Sequence, residues 1–218
     1  LQRLPKLDAI SLGISKPSEV AKFVALAVGV YIDALGDQTI EQGIQIVDHR
    51  HEEAATHAAE AYAKFTRQPG VAAVTAGPGV TNAVSAIAAA RFNRSPIVVV
   101  GGRAPDYRWG AGSLQEYDHI PVVAPITKTA QTLHDGSRAH IALFDAWQES
   151  MRAEPGPTFV DIPLDTLVSG VEESEVKWPE LGPPSSDVDL DAVARAAVII
   201  NAAQRPVIMA GSGAYWHR

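Results

Sequence analysis

Short apolar runs alternate with small-residue helical segments along this chain, and that alternation constrains the fold more than any other feature. Ile44-Gln45-Ile46-Val47 reads as a strand, Glu52 to Arg67 as an Ala-rich helix, Val71 to Thr75 as a second strand, and Gly79 to Arg91 as a second helix. Pro96 to Val100 forms a third strand, whose β-branched run suits a sheet covered on both faces. A helix near Arg138 to Arg152 and a strand over Thr158 to Ile162 follow. Strand, helix, strand, helix in this order predicts an α/β fold: a doubly wound, mostly parallel sheet with crossover helices.

The stretch from Gly170 to Asp187 changes character. It holds Glu172, Glu173 and Glu175, then Pro179, Pro183 and Pro184, and reads as a surface linker. Beyond it, Leu190 to Ala203 has helical spacing, Pro206 to Ala210 has a buried-strand pattern, and Gly211-Ser212-Gly213 reads as a turn. The expected organisation is a first domain over 1–169, a linker over 170–187, and the opening of a second Rossmann-like α/β domain over 188–218. A strand plus a glycine turn opens such a unit, so the chain is expected to be cut, and the N-terminus lacks an initiator Met.

Composition excludes several classes. The net charge is −7 with no basic stripe, which disfavours a nucleic-acid partner. No apolar run reaches the ~18 residues that span a bilayer. There is no cysteine, so disulfides, thiolate metal sites, a Cys nucleophile and Fe–S clusters are excluded within the chain. Leu1 to Ser11 shows no signal-peptide pattern, and a cytoplasmic location is expected.

Three segments can carry chemistry. In Arg50-His51-Glu52-Glu53-Ala54-Ala55, the acid at the start of an Ala-rich helix has two readings. It either complements the helix dipole, worth ~0.3–1 kcal/mol, or exchanges a proton with a bound heterocycle from a small-residue pocket. A zinc helix needs His-Glu-x-x-His, but position 55 is Ala and the next histidine is His57, on another face. No metal ligand is assigned.

The second segment, Thr75-Ala76-Gly77-Pro78-Gly79-Val80-Thr81-Asn82, sits between a strand and a helix, where parallel sheets place ligands. It is neither a dinucleotide fingerprint nor a P-loop; it is either a ligand-approaching turn or an ordinary tight one. The third, Gly112-Ser113-Leu114-Gln115-Glu116-Tyr117-Asp118-His119, is either a cleft-lining or a solvated loop. No Gly-x-Ser-x-Gly elbow supports a serine hydrolase.

Together these segments resemble the thiamine diphosphate-dependent acetolactate synthase superfamily, which includes benzaldehyde lyase and 2-hydroxyacyl-CoA lyases. The matching stretches also include Ala59-Glu60-Ala61-Tyr62-Ala63, Ala124-Pro125-Ile126-Thr127-Lys128, Pro155-Gly156-Pro157 through Pro163, and Arg205-Pro206-Val207-Ile208. The resemblance covers about Ile44 to Gly213. It implies that residues 1–169 are the pyrimidine-binding domain, although 1–43 match poorly and lack the usual Pro-Gly-Gly turn.

The resemblance further implies that Glu52 bonds ring N1′ of the cofactor and favours the imino tautomer, whose 4′-nitrogen removes the C2 proton. The resulting ylid attacks pyruvate, and the enamine left by decarboxylation adds to a second 2-oxo acid. Gly77, Pro78, Gly79 and Asn82 match the loop near the pyrimidine, and Gln115 matches a glutamine at the reacting end. Ser113-Leu114 departs from the usual Ala-Phe. Gly211 and Gly213 resemble a turn near FAD in flavin-containing members, with Ser212 in place of the usual middle glycine. Mg²⁺ and the diphosphate belong to a Gly-Asp-Gly segment, which this sequence does not contain.

The expected assembly is a homodimer or homotetramer, with the site completed by a second subunit and the chain alone inactive. Three readings follow: an acetolactate synthase-like enzyme, a benzaldehyde lyase-like or 2-hydroxyacyl-CoA lyase-like carboligase, or an inactive relic that only dimerises.

Overall fold

A computed structural model of the chain describes residues 47, 49–169 and 188–216. The described residues divide into two compact units, one holding those up to 169 and the other those from 188. The expected strand at 44–47 lies outside the described residues apart from Val47, which is exposed and in no strand. Segment 1–43 and the expected linker, 170–187, lie outside them as well.

In the first unit, helix α1 (Glu52–Thr66) starts at His51, whose extended backbone and side-chain Nδ1 cap the Glu53 N–H. Glu52 and Glu53 occupy the first turn, where the helix dipole favours acids. The helix stops at Arg67, which turns left-handed and returns its N–H to the Ala63 carbonyl. Strand β1 (Gly70–Val74) follows, then α2 (Pro78–Phe92), with proline at the first helical position. Strand β2 (Ile97–Arg103) continues three residues past the expected end.

A long connection carries two 3₁₀ turns and the short α3 (Ile120–Val123) to β3 (Ala130–Thr132). Helix α4 (Ala139–Met151), β4 (Thr158–Pro163) and the short α5 (Leu164–Leu167) complete the unit. All strand pairs are parallel, in the order β1-β2-β4-β3. The parallel α/β fold is as the alternation predicts; edge strand β3 is an addition. Its three residues, Ala-Gln-Thr, are only partly buried and carry no period long enough to read.

The two central strands, β2 and β4, are buried nearly throughout. Their alternate residues serve two layers. Val98, Val100, Val160 and Ile162 pack with Leu143 and Ala146 of α4. Of opposite parity, Gly101 faces Phe159 and Val80 of α2 so closely that an added Cβ would come 2.9–3.1 Å from them. Alanines 59, 63, 83, 86 and 90 are buried where α1 and α2 meet each other and the sheet.

One buried acid ties this layer together. The Glu60 carboxyl accepts from Asn93 Nδ2 at 2.8 Å and Ser95 Oγ at 3.1 Å, and pairs with Lys64 Nζ at 2.7 Å. Burial pushes its pKa up, but the bonds from Lys64, Asn93 and His57 outweigh that and hold it below the ordinary 4.5. A lowered carboxyl pKa contributes stability above the unfolded value, lost as pH falls through the folded value. Glu60→Gln is therefore expected to cost about 1–3 kcal/mol at pH 7. The gap to the parent should shrink in denaturation midpoints measured from pH 6 down to pH 3.

Lys128 has a structural task. Its Nζ donates to the carbonyls of Glu149 and, at 2.6 Å, Arg152, and pairs with the Glu149 carboxylate at 3.1 Å, capping the end of α4. Gly156 packs on its stem, where a Cβ would come 3.3 Å from Lys128 Cδ.

In the second unit, α6 (Leu190–Ala202) is capped by Asp189, whose carboxylate accepts from the Ala192 N–H at 2.8 Å. Pro206 to Ala210, expected as a buried strand, is irregular and exposed. A strand requires a neighbour for its N–H and C=O groups, and the described residues of this unit offer none. Gly211-Ser212-Gly213, expected as a turn, opens α7 (Ser212–Trp216), with the Gly211 carbonyl accepting from Ala214 N. Among the described residues, no helix is long and apolar enough to cross a membrane.

Candidate functional site

Parallel strands direct the loops that follow them to one edge of the sheet, where ligands bind. The β1–α2 connection is one such loop. Gly77, the cap of α2, has φ 61° and ψ −111°, a conformation suited to glycine. Gly79 has no room for a side chain: a Cβ there would lie 2.4 Å from Thr75 Cγ2 and 3.1 Å from Glu52 Oε1. The bare backbone thus lets the Glu52 carboxyl rest against the turn. Asn82, one helical turn further along α2, donates from Nδ2 to Glu52 Oε2 at 3.1 Å. Glu52 is half-buried, Gly77 and Gly79 are buried, and Pro78 and Asn82 are exposed.

The loop following β2 arrives at the same turn. Gln115 packs on Gly77 so closely that a Cβ on Gly77 would lie 3.0–3.1 Å from Gln115 Cβ, Cα and O. Gln115 itself has φ 61°, a left-handed conformation that costs a non-glycine residue ~1–2 kcal/mol. The loop compensates by internal bracing: Glu116 accepts from the N–H groups of Gly110 at 2.9 Å and Ser113 at 3.0 Å. Leu114 at the loop tip is exposed.

The structure thus brings Glu52, Gly79 and Asn82 into one contact set, and Gly77 with Gln115 into an adjoining one. Gly211 and Gly213 lie in the other unit, and a Cβ at either would meet nothing within 4 Å. His51 caps α1, and His57 turns to Glu60 at 3.4 Å, so the two histidines serve different partners.

Sequence reasoning missed a buried polar cluster behind the turn. His119 Nε2 accepts the Gly77 N–H at 3.0 Å, and its Nδ1 lies 2.9 Å from Asp161 Oδ2. Arg103 Nη1 reaches the same Asp161 oxygen at 3.2 Å. His119 and Asp161 are fully buried. A signal was present: an acid inside the apolar run Phe159-Val160-Asp161-Ile162 must find a partner if the strand is buried.

Comparison with known proteins bears on this geometry. Residues 18–122 match the family described as thiamine pyrophosphate enzyme, N-terminal TPP binding domain. The chain is 45% identical over 196 residues to the acetolactate synthase large subunit IlvG of Mycobacterium tuberculosis, covering 86% of this chain and 35% of that protein. It is 35% identical over 176 residues to the acetolactate synthase large subunit of Lactococcus lactis, covering 79% and 30%. It is 37% identical over 150 residues to 2-hydroxyacyl-CoA lyase 2 of Danio rerio, covering 69% and 24%. The chain spans about a third of the length of the curated relatives it matches, or less. The matched region takes in the glutamate, the glycine–proline–glycine turn and the glutamine loop. The chain belongs to the thiamine pyrophosphate enzymes, as an acetolactate synthase-like sequence carrying their N-terminal TPP-binding domain.

Proposed function

We propose that this chain supplies the half of a thiamine diphosphate site that holds the aminopyrimidine ring. The enzyme would decarboxylate pyruvate and condense the remaining two-carbon unit with a second 2-oxo acid, as in branched-chain amino acid biosynthesis. The observation that carries this reading is the Glu52 carboxyl, held by Asn82 beside the bare backbone of Gly79.

The residues fit such a ring. Among the described residues, the Glu52 carboxyl takes one side-chain hydrogen bond, at Oε2 from Asn82, which leaves Oε1 to meet a ring nitrogen. Gly77 and Gly79, having no side chains, let Gln115 and Glu52 close directly on the turn, which sets both side chains at one place. When bound, thiamine diphosphate supplies an electron sink for decarboxylation of a 2-oxo acid. The chain's own part is to orient and to move a proton: Asn82 fixes one oxygen of Glu52, and the other holds or releases a proton. Gln115, set over Gly77, is the candidate to contact the reacting groups. Mg²⁺ and the diphosphate are assigned to a Gly-Asp-Gly segment outside this sequence, with a second subunit completing the site in a homodimer or homotetramer. Gly211 and Gly213 are kept as the candidate place for a flavin, and no step is assigned to one.

A 2-hydroxyacyl-CoA lyase-like carboligase is the second reading, supported by the 37% identity to that lyase. The test is made on the full-length protein with thiamine diphosphate and Mg²⁺. Acetolactate formation from pyruvate, lost when the cofactor is omitted, supports the first reading. Cleavage of a 2-hydroxyacyl-CoA without acetolactate formation moves the assignment to the second. Turnover of neither overturns both.

A further inference from the structure

We infer that His119, braced by Asp161, is a positioning residue: its Nε2 fixes the Gly77 peptide, and with it the turn against which Glu52 and Gln115 are set. The inference rests on the reading that this turn borders the cofactor.

The first N–H groups of a helix have no partner within the helix. Gly77 is the cap of α2 and Pro78 has no N–H, so the Gly77 amide must find its acceptor elsewhere. It finds His119, 42 residues along the chain. A ring nitrogen that accepts a backbone N–H carries no proton itself. The proton of the neutral imidazole is therefore on Nδ1, which donates to Asp161. That assigns the tautomer and fixes the plane of the ring. The ring also meets Phe159 edge-on at 6.3 Å and Tyr117 at 5.9 Å. Arg103 completes the surroundings: it pairs with Asp161, lies 3.6 Å from Asp118, and stacks over Trp109 at 3.7 Å.

A buried ionic cluster is a weak source of stability, because desolvation offsets its attraction, and well-packed apolar side chains often serve as well. What an apolar side chain at 119 cannot provide is an acceptor for the Gly77 amide. His119 also closes the loop that carries Gln115. A single side chain therefore joins the two backbone segments that meet at Gly77, and Gln115 keeps its left-handed backbone only while that loop is held.

The experiment uses the full-length protein and three measurements: hydrogen exchange resolved to the Gly77 amide, kcat and KM for pyruvate, and thermal melting. In the parent, the Gly77 amide should exchange at least ~100-fold more slowly than an unprotected amide, the mark of a buried hydrogen bond. Asn at 119 can reach the Nδ1 position but not Nε2, whereas Gln can place an acceptor near Nε2. His119→Asn is expected to lose about tenfold in Gly77 protection and about tenfold in kcat, with KM for pyruvate within about twofold. His119→Gln should restore the protection and most of kcat.

An unprotected Gly77 amide in the parent overturns the inference whether or not the variants fold. So does equal impairment of the Asn and Gln variants, which would make the role one of packing. Glu52→Gln serves as the control. If that variant turns over pyruvate normally, the functional reading falls and takes the inference with it. If it is inactive while both His119 variants behave as the parent, the inference alone falls.

Discussion

Glu52→Gln is expected to leave the fold intact and to slow proton exchange at the thiazolium C2 carbon of bound thiamine diphosphate by about 100-fold or more. Glutamine keeps the volume of the side chain and can still accept the hydrogen bond from Asn82. The helix start loses little, because His51 caps the Glu53 N–H and Glu53 remains in the first turn. What is lost is a group able to hold and release a proton at the oxygen nearest Gly79. Deuterium exchange of the bound cofactor, quenched and read by NMR, measures the effect, and thermal melting checks the fold. An unchanged exchange rate would remove Glu52 from the chemistry.

The largest loss of stability is expected at Gly70. A Cβ there would sit 1.9 Å from the Ala59 carbonyl oxygen and 2.6 Å from its carbon. Both are backbone atoms in the middle of α1, so no rotamer change relieves the clash; the helix and β1 must separate. Overpacking a core commonly costs 1–3 kcal/mol, and a clash with fixed backbone belongs at or above the top of that range, so Gly70→Ala should lose about 3 kcal/mol or more. Because α1 carries Glu52, the shift should also weaken thiamine diphosphate binding. Chemical denaturation midpoints test the first effect and cofactor titration the second. A variant with the parent's midpoint would show that β1 does not pack on α1 in this way.

The two substitutions also separate what was legible from what was not. The helix over 52–66, the strands over 70–74, 97–103 and 158–163, and the glycine–proline–glycine turn are local features. Alanine spacing, β-branched runs and a proline at a helix start act over a few residues, so each can be read directly from its segment. The acid at position 52 and the glutamine at 115 became candidates through the resemblance of their segments to a known family, since local spacing left each with a second reading. Gly70, by contrast, is constrained by a carbonyl eleven residues earlier, and nothing in its neighbours shows that.

Pro206 to Ala210 marks the opposite limit. Its composition suits a strand, but composition cannot supply the partner a strand requires, and the segment is irregular and exposed. Edge strand β3 pairs with β4 although its own residues carry no strand pattern, because the ladder comes from its neighbour.

By itself, then, the sequence determined the three long helices and the three longer strands of the first unit, since these depend on local spacing and side-chain type. The tertiary structure alone decided the strand order β1-β2-β4-β3, the approach of Asn82 and Gly79 to Glu52, and the bond from His119 to Gly77. Those contacts join residues some thirty to forty positions apart, and they exist only once burial of the two sheet faces has brought the loops to one edge.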